Sequence, residues 1–156
     1  MSASQRRQIL AALVTHLEAI VAGDVAPLGD TFETDAGRAV YQGDIPQLGP
    51  DDPDQAIAVV PRTDDPRMIG RAAFQVTVPV DVHAVVKVSL DDPWTTAEQV
   101  VADIKRAIET DDQTFEKLVQ DMTRDGVSIQ PREAGSTVVA VTVPYRFTFR
   151  EQWGRP

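Results

Sequence analysis

Two long segments of the chain alternate strictly between apolar and polar residues. In the first segment, the residues that share one face are Phe74, Val76, Val78, Val80, Val82, Ala84, Val86 and Val88. In the second segment, the corresponding residues are Val139, Val141, Val143, Tyr145, Phe147 and Phe149. Because successive side chains of a strand point to opposite faces, this period of two predicts two long strands with one face in a core.

Apolar residues at helical spacing predict two amphipathic helices. The first is capped by Ser4 and stopped by Gly23, and its apolar positions are Ile9, Leu10, Leu13, Val14, Leu17, Ile20 and Val21. The second begins at Thr95 or Thr96 as its cap, and its apolar positions are Ala97, Val100, Val101, Ile104, Ala107 and Ile108. Each stripe is wide enough to cover one side of a sheet.

Shorter apolar segments predict further strands at 38–41, 56–60 and 127–132. We expect turns at 62–67, 125–126 and 133–136, and a short helical turn at 115–122. Strands and helices do not alternate regularly, which argues against a parallel sheet built from strand-helix-strand units. The prediction is a single domain over residues 1–156 of the α+β class, with an antiparallel or mixed sheet and two main helices packed on one face.

Each long strand contains an interior proline, Pro79 in the first and Pro144 in the second. Proline has no backbone N–H to donate to a neighbouring strand, so it belongs at an edge, a bulge or a break. We therefore expect the first strand to kink near Pro79 or to extend beyond the body of the domain, and a similar local edge at Pro144.

Two segments rich in Gly, Asp and Pro, 24–37 and 42–56, predict long loops. Long loops on a small domain commonly bind a partner or are disordered. The two tryptophans, Trp94 and Trp153, both lie beside polar turns. We expect Trp94 to plug a space beneath a loop, while Trp153 is either a plug or an interface anchor.

The net charge of −9 argues against tight nucleic-acid binding, because phosphate contacts require clustered basic residues. Three arginines near the C-terminus, Arg146, Arg150 and Arg155, are more typical of a solvated rim. The chain has no cysteine, which excludes disulfides and thiolate metal sites. Its first apolar stretch is interrupted by His16 and Glu18, so we predict no signal peptide and no membrane span, and a protein made in the cytoplasm.

Catalytic patterns are scarce along the chain. Four aspartate doublets, at 51–52, 64–65, 91–92 and 111–112, lack the ligand spacing of a preformed cation loop, so we predict turns and caps and no metal. His83 lies on the polar face of a strand without a recognisable nucleophile or paired carboxylate. Scattered glycines match no phosphate or dinucleotide loop, so no cofactor is predicted. An enzyme is therefore unexpected, although acid–base pairs assembled by the fold stay open.

The order of elements resembles that of the tail terminators, or tail-completion proteins, of tailed bacteriophages. The similarity covers nearly the whole chain, through Arg7-Gln8-Ile9-Leu10 in the first helix, the strands at Val40-Tyr41 and Ala56–Pro61, and the helix Ala97–Ile108. It ends in the strand Val143-Pro-Tyr-Arg-Phe-Thr-Phe-Arg150. The Asp- and Pro-rich segment 42–56 and the tail that follows Arg150 depart from the pattern.

The resemblance implies a structural virion protein and not an enzyme. Such proteins assemble in the host cytoplasm as a ring, here expected to be hexameric, on the end of the tail tube. The ring stops tube polymerisation and presents a head-docking surface, so the implied partners are further copies of the chain, the tail tube protein and the head–tail connector protein. Ring contacts between different surfaces would involve the polar strand faces, and we take Arg146, Arg150 and Trp153 as the candidate assembly interface.

Two alternatives stay open at this stage. A head–tail adaptor or a minor tail protein would have a similar layout and differ in ring size and neighbours. A small-molecule-binding or enzymatic α+β domain would need a pocket, with Trp94, Tyr41 or His83 as its lining. Flanking genes and the presence of a ligand-sized cavity would distinguish these possibilities.

Overall fold

A computed structural model describes residues 4–43, 45, 51–130 and 136–156. The described residues form two α-helices, one 3₁₀ turn and seven strands in a single sheet. The helices are α1 (Gln5–Glu18) and α2 (Pro93–Ile108), and the 3₁₀ turn is Ala36–Arg38. The strands are β1 (Val40–Gln42), β2 (Gln55–Pro61), β3 (Asp65–Gly70), β4 (Ala73–Lys87), β5 (Asp121–Arg124), β6 (Ser128–Ile129) and β7 (Val138–Gln152).

The centre of the sheet is the antiparallel pair of β4 and β7. These strands pair along their whole length, from Ala73 opposite Gln152 to Lys87 opposite Val138. On the edge of β4 that faces away from β7, β3 pairs with the first part of the strand and β2 with the second part. On the edge of β7 that faces away from β4, β6 pairs with the first part and β5 with the second part. β1 is parallel to β2, and every other described pairing is antiparallel. The predicted α+β class with a mixed sheet is therefore confirmed.

Both helices pack on one face of the sheet, and the core lies between them and it. The alternating apolar residues of β4 and β7 are buried there as predicted, except that Phe74 is only half-buried. They join Ile57 and Val59 of β2 and the buried residues of both helices in one cluster. A buried aliphatic side chain contributes about 1.5–3 kcal/mol, so this cluster dominates the stability of the domain.

The helix ends show which polar groups stop each helix. Ser4 Oγ accepts a hydrogen bond from the Arg7 N–H, which confirms the predicted cap. α1 ends at Glu18, earlier than the predicted stop at Gly23, and the 3₁₀ turn packs against the carbonyl oxygens at this end. Gly37 lies so close to them that a Cβ atom would come within 2.6 Å of the Ile20 carbonyl oxygen.

The first turn of α2 differs from the prediction. The cap is Asp92 and not Thr95 or Thr96, because the helix begins at Pro93. The Asp92 carboxylate accepts hydrogen bonds from both the amide and the hydroxyl of Thr95, and these bonds hold the pKa of Asp92 below its ordinary value. One of the four aspartate doublets is thus explained as a helix cap.

Several predicted local elements are corrected by the pairing of strands. The segment predicted as a turn at 62–67 contains the start of β3, which forms a hairpin with β4. The helical turn predicted at 115–122 is wrong: residues 113–118 form a turn in which Phe115, Glu116 and Lys117 have positive φ, and Met122 lies in β5. The predicted turn at 133–136 falls mostly outside the described residues, as do residues 44 and 46–50 of the predicted loop. Neither Pro79 nor Pro144 interrupts the pairing of β4 with β7.

Candidate assembly interface

The face of the sheet opposite the two helices, hereafter the open face, carries two of the candidate interface residues. Arg146 and Arg150 both point to this face of β7 and are exposed. Arg146 Nε donates a hydrogen bond to Asp125 Oδ2 at 2.9 Å. Arg150, opposite Gln75, makes no ion pair within the described part of the chain. The open face therefore presents one constrained and one unconstrained guanidinium group.

Arg146 also borders a polar trough on the open face. The trough has a volume of about 340 Å³ and is lined by Asp65, Arg67, Gln75, Thr77, Gln120, Asp121, Arg146 and Thr148. Its lining combines positive, negative and neutral polar groups, which suits contact with a hydrated protein surface better than it suits a buried small ligand.

Trp153 lies apart from the two arginines. Its side chain is 74% exposed and stacks on Phe74, with 5.8 Å between the ring centroids and 30° between the rings. Phe74 belongs to the face that the helices cover elsewhere in the sheet. The three candidate residues are therefore divided between the two faces and do not form one surface.

The surroundings of Trp153 are unusually exposed. We define the arm as residues 65–77 and 148–156, which comprise β3, the beginning of β4 and the end of β7. All six residues of β3 are exposed, and Met68, which lies opposite Phe74, is 68% exposed. Exposed apolar clusters of this kind commonly mark contacts with other proteins.

The residues proposed for a small-molecule pocket are also divided by the fold. Tyr41 and His83 lie on the open face with Ala58 between them in the strand register. Trp94 lies in the first turn of α2, where 48% of its surface is exposed, so the predicted plug is wrong. Binding by all three residues together is therefore not supported by their positions.

His83 does have partners that the sequence did not reveal. Its Nδ1 lies 2.8 Å from Thr142 Oγ1, and its Nε2 lies 3.9 Å from Asp81 Oδ2. Asp81 is in turn held by Arg62, with 2.6 Å between Arg62 Nη2 and Asp81 Oδ2. The strand register places His83 directly opposite Thr142, and no local motif predicts this. These contacts connect β4, β7 and the loop that follows β2 on the open face.

A buried carboxylate, Asp103 on α2, organises the segment between α1 and β1. Asp103 is completely buried, and its Oδ2 accepts hydrogen bonds from the amide and the hydroxyl of Thr34, both at 2.7 Å. The Glu33 amide and Arg106 Nη1 donate further bonds. The bond to Asp103 raises the pKa of Arg106 above its ordinary value. Asp103 lies three residues after Val100 and four before Ala107, so the sequence places it on the apolar stripe of α2. A carboxylate on such a stripe indicates a buried polar contact, which the sequence analysis did not predict.

A second group missed in the sequence joins α2 to β5 and β7. The hydroxyl of Tyr145 donates to Glu109 Oε2 at 2.9 Å, and Arg124 Nε binds both carboxylate oxygens of Glu109 at 3.0 Å. Burial, reinforced by the Glu109 charge, raises the pKa of Tyr145 above its ordinary value. These hydrogen bonds therefore connect the C-terminal end of α2 with β5 and β7.

Two searches of the described residues bear on other kinds of site. No group of three or more His, Asp or Glu side chains within residues 4–43, 45, 51–130 and 136–156 is placed to hold a metal ion. Neither α1 nor α2, the helices of the described chain, has the length and apolar character needed to cross a membrane. No known protein family matches the chain, and no curated protein matches it either.

Proposed function

We propose that the chain is a structural protein of a bacteriophage tail. Copies of it form a ring, expected to be hexameric, on the end of the completed tail tube. The ring stops the addition of tube subunits and offers a docking surface to the connector protein of the head. The proposal rests on the resemblance of the whole element order, from the first helix to the last strand, to that of tail terminators.

The arm is the structural observation that supports a role in assembly. The exposed Trp153 stacks on the half-buried Phe74, and the exposed Met68 lies opposite Phe74 in the strand register, so the three form an apolar surface at the end of the sheet. An isolated monomer gains nothing from exposing two large apolar side chains on a framework of paired strands, whereas a ring contact buries them. A second surface, the open face with Arg146 and Arg150, is then available for the tube or the head protein.

The acidic character of the chain accords with this role. A ring through which DNA passes must not hold phosphate groups, and a net charge of −9 opposes such binding. The arginines of the open face are few, and Arg146 is already paired with Asp125. Their number suits a protein contact better than a DNA channel.

The test begins with the absolute mass of the purified chain, measured by light scattering over a concentration series. A discrete species near six times the 17.0 kDa chain supports the ring. The same sample is then added to growing tubes of the tail tube protein from the same virus and inspected by electron microscopy. The proposal predicts a cap at one end and arrested growth, whereas unchanged growth without bound protein would reject it.

The same experiment distinguishes the adaptor alternative. A ring that binds the connector protein of the head but leaves tube growth unchanged would be a head–tail adaptor. A terminator must arrest the tube in the absence of the connector. Adding the tube protein and the connector separately therefore decides between the two roles.

A further inference from the structure

The loop between β5 and β6 contains two neighbouring residues that can react with each other. Asp125 is followed by Gly126, and the sequence contains no other Asp-Gly pair. Both residues are exposed and lie between the end of β5 at Arg124 and the start of β6 at Ser128. An exposed connecting segment moves more freely than the strands that it joins. The pair is therefore open to a local reaction that a paired strand would hinder.

The reaction open to this pair is closure of a five-membered ring. The backbone nitrogen of Gly126 attacks Cγ of Asp125, and the carboxyl group, protonated from the solvent, loses its hydroxyl as water together with the amide hydrogen. Water then opens this succinimide at one of its two carbonyl groups. Opening at the former side-chain carbonyl restores aspartate, whereas opening at the former backbone carbonyl yields isoaspartate. The sequence of steps needs only water and leaves the mass of the chain unchanged.

The Gly126 nitrogen is accessible for this attack. Its N–H donates no hydrogen bond to any residue within 4–43, 45, 51–130 and 136–156. A Cβ atom added at Gly126 would meet no heavy atom within 4 Å, so the space around the residue is open. Glycine also has no side chain to shield its own nitrogen, and it adopts a wide range of backbone dihedral angles. These properties favour ring closure.

The ion pair between Asp125 and Arg146 opposes the same reaction. Arg146 Nε lies 2.9 Å from Asp125 Oδ2, and the Asp125 amide is held at 2.9 Å by the Pro144 carbonyl. The succinimide is neutral, so ring closure removes the negative charge that Arg146 binds. The ion pair therefore stabilises the starting state and not the ring, which raises the barrier to the reaction.

We propose that Asp125 is a site of spontaneous isomerisation and that its ion pair with Arg146 restrains the rate. The modification is chemical and needs no enzyme and no partner chain. The inference does not depend on the proposed ring, because it concerns the isolated chain.

Isomerisation releases Arg146 from its partner. In isoaspartate the main chain runs through Cβ and Cγ, and the free carboxylate is attached directly to Cα. This shorter carboxylate no longer matches the position that Asp125 Oδ2 occupies beside Arg146. Copies that carry isoaspartate then present Arg146 and Arg150 without an ion pair from the described part of the chain, so the open face changes with the age of the protein.

Incubation of the purified chain for several weeks at neutral pH tests the modification. Protein isoaspartyl methyltransferase labels the isoaspartyl carboxylate, and peptide mapping locates the label. Asparagine, which forms the same ring, is absent from the chain and adds no background. We expect the label to accumulate in the peptide that contains Asp125. The matched control is Asp125→Glu, which keeps the charge but would need a six-membered ring, and its peptide is expected to lose the label.

Two arginine variants test the restraint. Arg146→Gln removes the ion pair, so the label is expected to accumulate about two- to fivefold faster, the factor by which an exposed ion pair slows a step that abolishes it. Arg150→Gln removes the same charge from the open face but breaks no ion pair of the described chain. Its rate is expected to equal that of the unaltered chain. Circular dichroism after incubation verifies that every variant stays folded.

Three results would overturn the inference. Absence of label from both the unaltered chain and Arg146→Gln would reject the reaction at this loop. Equal label in the corresponding peptide of Asp125→Glu would assign the reaction to another residue. Equal rates in Arg146→Gln and Arg150→Gln would remove the restraint by the ion pair.

Discussion

Pro79 and Pro144 occupy equivalent positions on the two central strands. The Pro79 carbonyl oxygen accepts a hydrogen bond from the Arg62 amide at 2.8 Å, and that of Pro144 accepts one from the Asp125 amide at 2.9 Å. In a strand, the N–H and C=O of one residue point to the same edge. The backbone nitrogen of Pro79 therefore faces the gap between β2 and β3, and that of Pro144 faces the gap between β5 and β6. Because no strand pairs at these two points, the missing N–H costs no hydrogen bond of the sheet.

Arg62 lies in the loop between β2 and β3, and Asp125 lies in the loop between β5 and β6. Their side chains reinforce these backbone contacts. Arg62 binds Asp81 with 2.6 Å between Nη2 and Oδ2, and Asp125 binds Arg146 with 2.9 Å between Oδ2 and Nε. Each loop thus holds the neighbouring long strand through one backbone bond and one ion pair. Both prolines mark local edges, as expected, but neither strand breaks.

Reversing the charge of Arg146 separates assembly from folding. Arg146→Glu removes the pair with Asp125, and because that pair is exposed the free energy of unfolding should fall by about 1 kcal/mol or less. Arg150→Glu removes no ion pair of the described chain and should change it even less. Urea denaturation of the purified variants measures both effects.

The same variants are expected to lose tube capping if the open face contacts the tube. Capping is followed by electron microscopy, and the unaltered chain provides the reference. Full capping by both variants would place the tube contact on another surface and would remove Arg146 and Arg150 from the candidate interface.

A charge on the covered face should unfold the domain. Val141 is 1% exposed and lies in the core, so Val141→Asp buries an unpaired carboxylate and should cost more than about 4 kcal/mol. The matched control is Ala140→Asp, one residue away and facing the open side. Circular dichroism and solubility distinguish the two, and a folded, soluble Val141→Asp protein would contradict the assignment of faces.

Removing the Asp103 carboxylate should detach the segment before β1. Asp103→Ala leaves the buried amide and hydroxyl of Thr34 without their acceptor and leaves Arg106 to pair with Glu33, 3.5 Å away, which should cost about 3–5 kcal/mol. Urea denaturation measures the loss, and hydrogen exchange at the amides of residues 23–34 locates it. Glu33→Gln is the control, because the amide of Glu33 and not its side chain binds Asp103, and its exposed ion pair with Arg106 at 3.5 Å should contribute about 1 kcal/mol or less. An equal loss in both variants would contradict this role of Asp103.

The buried Tyr145 should make the domain sensitive to alkali. Because burial raises the pKa of Tyr145 in the folded state, the unfolded chain releases this proton first, near pH 10. The resulting stabilisation is complete below that pH and is lost as the pH rises further. Unfolding free energies measured in urea at pH 8 and pH 11 are expected to differ less in Tyr145→Phe than in the unaltered chain.

The other tyrosine of the chain provides the control for this experiment. Tyr41 lies at the edge strand β1 and is exposed, so Tyr41→Phe should retain the full alkaline loss. At pH 8, Tyr145→Phe should cost about 0.5–1.5 kcal/mol through the lost bond to Glu109. An alkaline loss that is unchanged in Tyr145→Phe would assign it to other groups.

The interface candidates show why a site is harder to predict than a face. The two-residue period correctly assigns Arg146 and Arg150 to the polar face of the last strand. It cannot place Trp153, which follows the strand and turns back to stack on Phe74. The stacking of Trp153 on Phe74 depends on the path of the chain beyond the end of β7. Tertiary packing sets this path, and the alternation of apolar and polar residues does not predict it.

By itself, the sequence determined the class of fold, the buried faces of both long strands, the stripe of α2, most of the stripe of α1 and the Ser4 cap. Each of these follows from the period of side-chain directions or from residues within one helical turn, so local order suffices. Only the tertiary structure decided the pairing of β3, the burial of Asp103 against Thr34 and the partners of His83. Asp103 and Thr34 are 69 positions apart in the chain. Their contact exists because the packed helix and sheet bring distant segments together, which no local pattern records.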